Sequence, residues 1–498
     1  MTMHREAGEV ATPTGPGGTP RIALYAAMAG VLLLAAALRV VNLSSEWLWY
    51  DELLTVTFSR IPILQLLDPM LPDPHPPLYY LQLRYWLELG TSDVWIVLNP
   101  VLWSVGSVAS LLFTAHRIYG ARVALTGAVL LAISPIALMY AHETRMYSMM
   151  MFLMIWAWYF NHRFVSGASM GPAAVVGIIA SETCVALSHA TGPFAISFVY
   201  VYTLLLAWQE GVPRSRLVHW AVVHLAVGTA MILALPYFTK GPALLLAGGF
   251  SYLIVPSSMD VVQTLTDMLF GLAVSGAWID LATSLVLSLV LLAALRDSSS
   301  RPLVLSLVVA PLLATVSISH LWVPVWHVRT VVFVCPFIAL TIARAVWGAR
   351  QTVRGFRGVA SSVALVFLGA LVAGQLASGI AQMRQHPIKG IDVKQTVADV
   401  RQRLRPGDVI YVPHPFDYWC FAWYFFGPDM DASLSKQGAV YHGGNYFAHG
   451  KSQPKNFRDR TVWVGRVFWR PAVVIDNYTK VDTLGSEFQV DQHVPTGQ

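Results

Sequence analysis

Apolar residues in this chain fall into long, nearly uninterrupted runs, and short polar segments separate one run from the next. A helix rises about 1.5 Å per residue, so roughly 20 apolar residues cross a hydrocarbon core about 30 Å thick. The pattern predicts a polytopic all-α membrane domain over residues 21–382 with about eleven transmembrane helices. The runs cover residues 22–41, 94–115, 123–140, 147–160, 172–188, 193–208, 217–238, 278–295, 302–319, 329–347 and 359–382.

The two ends of the chain have a different pattern. Residues 1–20 are rich in Gly, Pro and Thr without periodicity, which predicts a disordered cytoplasmic tail. After residue 383, a helical stretch at 397–404 is followed by a Pro-Gly turn and a short apolar, β-branched run at 409–412. A second strand is predicted at 461–467. Residues 383–498 therefore read as a small α/β domain.

Composition agrees with a membrane protein. Of the 498 residues, 55% are hydrophobic and 12% are charged, whereas soluble domains average about 25% charged residues. The net charge of +6 comes mostly from arginines between apolar runs, where orientation in a membrane explains them better than nucleic-acid binding. The three cysteines, Cys184, Cys335 and Cys420, lack metal-ligand spacing and are interpreted as packing residues.

Those arginines also predict the orientation of the chain. With the N-terminus inside, every basic loop is cytoplasmic, as the positive-inside rule requires. The first long loop, residues 42–93, and the C-terminal domain are then extracytoplasmic. The basic loop residues are Arg117, Arg122, Arg163, Arg214, Arg216, Arg296, Arg301, Arg344, Arg350, Arg354 and Arg357.

Unusual polar residues cluster on the predicted outer side, beginning with the segment SEWLWYDE at 45–52. Asp51 and Glu52 lie just beyond the first apolar run, where charge near hydrocarbon is costly and marks a candidate functional site. Two interpretations stay open. Asp51 is a solvated acid or helix N-cap, or it is a general base that accepts a proton from a hydroxyl.

Two further segments carry candidate chemistry. In DPHPPLYY at 73–80, prolines fix the backbone around His75, which is part of a rigid turn or contacts a ligand or metal. In YAHETRMY at 140–147, Glu143 and Tyr147 share one face if the segment is helical, next to His142. Arg145 either snorkels at the membrane edge or binds a lipid-linked phosphate.

Two more histidines lie at the mouths of apolar runs. His189 occupies a very short outer turn, where hydrogen bonds to the backbone and ligand contact are equally consistent with the sequence. His327 and Arg329 follow two tryptophans that favour an interfacial belt. All these histidines, together with Glu143 and Tyr147, are candidates to line a substrate cavity.

In order along the chain, these motifs resemble those of the bacterial family 39 glycosyltransferases of the GT-C superfamily. These enzymes are related to protein O-mannosyltransferases and lipid A aminoarabinose transferase. The resemblance implies that Asp51 is the general base, that Glu52 shapes the acceptor site, and that Arg145 and Arg329 bind donor phosphate. It also implies that His75 lines the cavity or helps to hold a divalent ion. Arg329 is followed by Thr-Val-Val, where the family pattern has Arg-Tyr.

The implied function is that of an inverting transferase in the bacterial inner (cytoplasmic) membrane, with an extracytoplasmic active site. It would move a sugar from a polyprenyl-phosphate donor to a glycan, lipid or protein acceptor among the membrane lipids. The sequence identifies no cofactor with certainty, and a divalent metal is left open. The lack of a nucleotide-binding glycine motif agrees with a lipid-linked donor. Alternatives are a flippase of lipid-linked glycans, disfavoured by the absence of repeat symmetry, and an inactive envelope scaffold.

Overall fold

A computed structural model describes most of the chain. The described residues are 18–45, 47–68, 75–167, 171–237, 239, 243, 253–271, 276–352, 357–385, 393–427, 439–442, 445–449, 460–467, 478–485 and 488–496. The first 17 residues of the predicted tail lie outside them, as do Glu46 and the Asp73 and Pro74 that precede His75.

Helices make up the membrane domain. In the first half of the chain they are α1 Gly18–Val40, α2 Tyr50–Arg60, α3 Ile63–Leu66, α4 Leu78–Leu87, α5 Asp93–Tyr119, α6 Ala121–Ile133, α7 Pro135–Ala141, α8 Tyr147–Ser166, α9 Pro172–Ser188, α10 Gly192–Glu210 and α11 Arg214–Leu233. In the second half they are α12 Ser258–Phe270, α13 Ala277–Arg296, α14 Arg301–Val304, α15 Ala310–Leu321, α16 Val328–Val331, α17 Cys335–Thr352 and α18 Arg357–Gln385. A π-helical segment, Leu305–Val309, joins α14 to α15.

Every predicted apolar run coincides with one or more of these helices, so the predicted polytopic helical architecture is confirmed. Among the described residues, seven helices are long and apolar enough to cross a membrane, or eight if α6 and α7 form one bent span. The number is below the predicted eleven partly because α9 and the described part of α18 are shorter apolar helices.

The run predicted as one span at 123–140 is bent by 60° between α6 and α7. Pro135 causes the break because it has no N–H to donate to the carbonyl of Leu131. Arg39 of α1, which is fully buried, compensates by donating to the carbonyl oxygens of Leu131 (3.4 Å) and Ala132 (2.9 Å). The bend directs α7 and the turn after it towards the N-terminus of α2.

The described residues of the C-terminal part form two helices, α19 Val393–Arg403 and α20 Pro415–Phe426, and six strands: β1 Val409–Val412, β2 Ala439–His442, β3 Asn445–His449, β4 Val462–Val467, β5 Tyr478–Leu484 and β6 Phe488–Pro495. The strands form one sheet with the order β2-β3-β1-β4-β6-β5. Strand β1 pairs in parallel with β3 and β4, and the remaining neighbours are antiparallel. The strands predicted at 409–412 and 461–467 are β1 and β4.

This C-terminal part packs directly on α2. The Tyr424 hydroxyl of α20 accepts a hydrogen bond from the backbone N–H of Leu48 at 2.5 Å. Leu53 of α2 and Phe421 of α20 belong to one buried apolar cluster. Burying a side chain of this kind stabilises the folded state by about 2 kcal/mol. The C-terminal sheet domain, residues 393–496, therefore holds in place the helix that carries Asp51.

Candidate active site

The N-terminus of α2 is held by the carboxylate of Glu52, which is completely buried. Its Oε2 accepts the backbone N–H of Trp49 at 3.1 Å, and its Oε1 accepts the backbone N–H of Thr144 at 2.7 Å. Charge-assisted bonds of this kind are among the stronger hydrogen bonds in proteins. Trp49 occupies the N-cap position, so the interpretation of Asp51 as the N-cap is wrong.

Asp51 follows in the first turn of α2, and its carboxylate is 25% exposed. Its Oδ2 lies 3.1 Å from Nη1 of Arg329. Nη2 of the same guanidinium lies 3.9 Å from Oε1 of the buried Glu143. The guanidinium also stacks over the Trp49 ring at 5.2 Å, so Arg329 joins two carboxylates that come from separate motifs.

Local backbone structure fixes the start of the Arg329 side chain. His327 is the N-cap of α16, and its Nδ1 accepts the backbone N–H of Arg329 at 3.1 Å. Burial, together with the charge of Arg329, lowers the pKa of His327 to about 4. The imidazole is therefore neutral at neutral pH, as its acceptor role requires.

Arg145 lies beneath the same turn of α2 and is 6% exposed. Its Nη1 donates to the hydroxyl of Thr55 at 2.7 Å and to the backbone carbonyl of Asp51 at 3.3 Å. The guanidinium thus contacts the backbone of the residue that carries the candidate base. This geometry suits Arg145 to orient Asp51.

His75 and His189 lie side by side, with ring centroids 4.6 Å apart. Nδ1 of His75 is 3.5 Å from the backbone N of Ala190, and Nδ1 of His189 accepts the N–H of Thr191 at 3.0 Å. Burial, followed by the charge of Arg145, lowers the pKa of His189 to about 3. Burial and the nearby His189, Arg145 and Arg329 hold the pKa of His75 well below its usual value.

Tyr147 connects this histidine pair to the bent span. Its ring lies 5.6 Å from that of His189 and 4.8 Å from that of Tyr140. His142 contacts the first helix: its Nε2 is 2.7 Å from the carbonyl oxygen of Arg39. That contact ties the end of α7 to α1, which suits a positioning role.

A cavity of about 350 Å³ opens beside Arg329, within the range of roughly 300–1,000 Å³ found for small-molecule sites. Trp49, Tyr140 and Trp326 form aromatic parts of its wall, and His327 and Arg329 lie on one side. Trp326 is 2% exposed and donates through Nε1 to Thr264. Its burial distinguishes it from Trp322, which is 76% exposed as an interfacial residue would be.

The opposite wall comes from α12, whose functional potential the sequence analysis missed. Asp260, Gln263 and Asp267 line the cavity there. Burial raises the pKa of Asp267 to about 6. The hydrogen bond from Gln263 lowers this pKa, and the nearby Asp280 raises it further. The missed signal is a capping box, in which Ser257 and Asp260 exchange hydrogen bonds at the start of α12.

The described residues do not form a complete metal site. His75 and His189 offer two neutral imidazoles, but no group of three or more His, Cys, Asp or Glu residues lies together in the part of the chain that the structure describes. A protein-bound zinc ion takes three or four such ligands. The metal at His75 stays a prediction, and no step below depends on it.

No protein-family model matches the chain, and no curated protein matches its sequence. The fold is nevertheless similar to that of solved glycosyltransferases. Two structures of ArnT from Cupriavidus metallidurans match: the apo state with a TM-score of 0.58, and the complex with undecaprenyl phosphate with a TM-score of 0.59. Each is 14% identical in sequence, and each match covers 95% of this chain and 98% of that chain. The archaeal oligosaccharyltransferase AglB from Archaeoglobus fulgidus, in complex with an inhibitory peptide and a dolichol-phosphate, matches with 0.53 at 12% identity, covering 82% of this chain and 63% of that chain.

These neighbours are GT-C glycosyltransferases, so this chain has the GT-C fold and the predicted resemblance is confirmed at the level of the fold. The multi-pass membrane architecture is part of that fold.

Proposed function

We propose that this protein is an inverting glycosyltransferase that uses a polyprenyl-phosphate sugar at the extracytoplasmic face of the bacterial cytoplasmic membrane. The observation that carries the proposal is the 3.1 Å contact between Asp51 and Arg329 beside a cavity of ligand size. A base for the acceptor and a cation for the donor phosphate are thereby brought together. The positive-inside pattern of the arginines supports the orientation.

The donor phosphate is the natural competitor for Arg329. A guanidinium offers planar, bidentate donors that match phosphate oxygens. In this proposal, a lipid-linked phosphate draws Arg329 away from Asp51 and frees the carboxylate to accept a proton. Arg145 keeps its contacts with Thr55 and the Asp51 backbone, and its charge contributes to the field around the phosphate.

The reaction then needs one base and one direct displacement. Asp51 takes the proton from the acceptor hydroxyl as that oxygen attacks the anomeric carbon. The bond between this carbon and the phosphate oxygen breaks, and its electron pair leaves with the polyprenyl phosphate. Arg329 stabilises the charge that develops on the departing phosphate. A single displacement inverts the anomeric configuration.

The other predicted residues support this chemistry by position. Glu52 fixes the first turn of α2 to Thr144, and Glu143 holds the second side of Arg329. The aromatic wall and the carboxylates of α12 are suited to contact a sugar, whose apolar faces stack on rings while its hydroxyl groups donate to carboxylates. The ArnT structure with undecaprenyl phosphate and the AglB structure with dolichol-phosphate support a polyprenyl-phosphate donor.

A donor panel tests the proposal. Purified protein in lipid nanodiscs would be incubated with radiolabelled polyprenyl-phosphate sugars and a membrane extract, and the labelled product would be identified by mass spectrometry. We expect one donor class to yield a new glycoside together with free polyprenyl phosphate. Movement of an intact labelled lipid between leaflets without a new bond would instead support the flippase alternative, and inactivity with every donor would support the scaffold alternative.

A further inference from the structure

A second cavity, of about 450 Å³, lies at the other end of the helix bundle. Its wall includes Tyr119, Arg122, Arg296, Asp297, Arg344 and Trp347. The chain path shows that the two cavities are at opposite ends. The bent span α6–α7 has Arg122 near its start and Tyr140 of the active-site cavity near its end. Likewise, the span from Val328 to Gly348 has Arg329 at one end and Arg344 near the other.

Among the residues that the structure describes, three arginines and one carboxylate line this second cavity. Arg344 forms an ion pair with Asp297 and lies over the Tyr119 ring at 4.4 Å. The carboxylate of Asp297 also accepts hydrogen bonds from Ser299 and Ser300. The ion pair therefore satisfies one of the three arginines and leaves an excess of positive charge.

The remaining two arginines supply that excess. Arg122 lies over the Trp347 ring at 5.4 Å, and Trp347 is held by its indole N–H, which donates to Thr126 at 2.9 Å. Within the described residues, the structure pairs neither Arg122 nor Arg296 with a carboxylate. Stacking on an aromatic face limits the freedom of a guanidinium, so a partner anion would meet at least one oriented donor.

The surroundings identify the source of such an anion. Leu292 lies one helical turn before Arg296 of the cavity wall, and Leu305 lies six residues after Ser299 of that wall. Their side chains are 59% and 41% exposed, and both belong to spans apolar enough to cross a membrane. A basic pocket between transmembrane helices with apolar side chains at its margin fits a lipid, because the phosphate enters the pocket while the acyl chains follow the helices. A small soluble anion would gain nothing from this margin.

We propose that this basic cavity binds the phosphate headgroup of an anionic phospholipid in the leaflet opposite to the active site. Arg122 and Arg296 contact the headgroup, while the Arg344–Asp297 pair forms the floor of the site. The site is separate from the one proposed for glycosyl transfer and does not depend on that function. Simple snorkelling is the competing explanation, since it needs no cavity and no lipid selectivity.

Native mass spectrometry of the purified full chain tests the proposal. The protein would be exchanged into detergent with phosphatidylglycerol or phosphatidylcholine, and the lipid retained per molecule would be compared. We expect preferential retention of phosphatidylglycerol. Since each basic residue contributes about 1 kcal/mol to anionic lipid binding, affinity should fall about fivefold in Arg296→Gln, with a further fall when Arg122→Gln is added.

Arg163→Gln is the matched control. Like Arg122, Arg163 is exposed and lies over an aromatic ring, that of Tyr159 at 5.8 Å, but it is outside this cavity. Arg296→Gln removes an exposed side chain, so it keeps the test valid even if the double variant is unstable. Equal retention of both lipids, or an equal loss in the Arg163 control, would overturn the proposal. Displacement of phosphatidylglycerol by millimolar inorganic phosphate would also overturn it, by identifying a soluble anion as the ligand.

Discussion

The guanidinium of Arg329 lies 3.1 Å from the carboxylate of Asp51, although 278 positions separate the two residues in the chain. The contact pairs the two charges and at the same time covers an oxygen that a base must present to its substrate. In the proposed mechanism, the donor phosphate resolves this conflict by taking over the guanidinium. Binding of the donor would therefore prepare Asp51 for the acceptor.

Replacing Arg329 tests this exchange. We expect Arg329→Lys to raise the KM for the polyprenyl-phosphate donor and to lower kcat/KM by roughly 10²-fold, because a lysine keeps the charge but loses the bidentate geometry. Steady-state kinetics with varied donor would measure both. Arg403→Lys, which alters an exposed ion pair with Asp482, serves as the control. An unchanged donor KM in Arg329→Lys would argue against phosphate binding.

Glu52 should act on stability and position rather than on proton transfer. In Glu52→Gln, one of the two backbone N–H groups faces an amide NH₂ instead of a carboxylate oxygen, which costs about 1–3 kcal/mol. We expect a lower midpoint of thermal unfolding and a reduced kcat. Glu88→Gln, an exposed residue after α4, is the control. If Glu52→Gln melted like wild type, the two hydrogen bonds of Glu52 would not contribute measurably to stability.

His189 predicts a dependence of stability on pH. Its folded-state pKa of about 3 lies below the usual value of about 6.5, so the unfolded chain binds the proton first as the pH falls. The contribution of neutral His189 to the free energy of unfolding is complete above about pH 6.5 and is lost progressively towards pH 3. At pH 5, the loss is roughly 2 kcal/mol.

Thermal unfolding of wild type and His189→Gln between pH 7.5 and 5 would measure this effect. The variant should lose less stability on acidification than wild type. His320→Gln replaces an exposed histidine and should keep the wild-type slope. Parallel slopes for wild type and His189→Gln would contradict a neutral, buried His189.

A buried polar network joins α8 to α11 and predicts a separate effect. Glu182, with no exposed surface, accepts from Asn161 at 2.7 Å and from Tyr200 at 2.9 Å, and lies 3.2 Å from Nε2 of His224. Glu182→Ala leaves these partners unsatisfied and should destabilise the fold by roughly 2 kcal/mol. Glu182→Gln keeps an acceptor and should cost less. Thermal unfolding in detergent would compare them, and equal melting of Glu182→Ala and wild type would contradict the network's role.

Much of the architecture could be predicted from the sequence because its causes are local. Apolar runs of sufficient length become helices, and the β-branched run at 409–412 becomes the central strand β1. The bend at Pro135 also has a local cause, but the apolar pattern continues through it and conceals it. The donors that Arg39 supplies to the broken end of α6 come from a helix about 90 positions earlier.

The candidate site was predictable by residue but not by arrangement. Charged residues at the ends of apolar runs identify Asp51, Arg145 and Arg329 as unusual, yet the pairing of Asp51 with Arg329 depends on tertiary packing. The α12 wall was missed because it lies between the predicted apolar runs 217–238 and 278–295, where the sequence analysis predicts no element. Polar residues interrupt its apolar positions, so this segment does not resemble a membrane span, although it folds into a helix with an apolar and a polar face.

The measurement that tests the central claim most directly is single-turnover transfer by Asp51→Asn. Asparagine keeps the size of the side chain and an oxygen for Arg329 but cannot serve as the base. With the donor identified by the panel, we predict a rate about 10²–10⁴-fold below that of wild type. Thermal unfolding should resemble that of wild type, and the donor should bind at least as tightly, because Arg329 no longer pairs with a carboxylate. Asp482→Asn, at an exposed ion pair of the sheet domain, should transfer normally. Transfer by Asp51→Asn at the wild-type rate would contradict the assignment of Asp51 as the base.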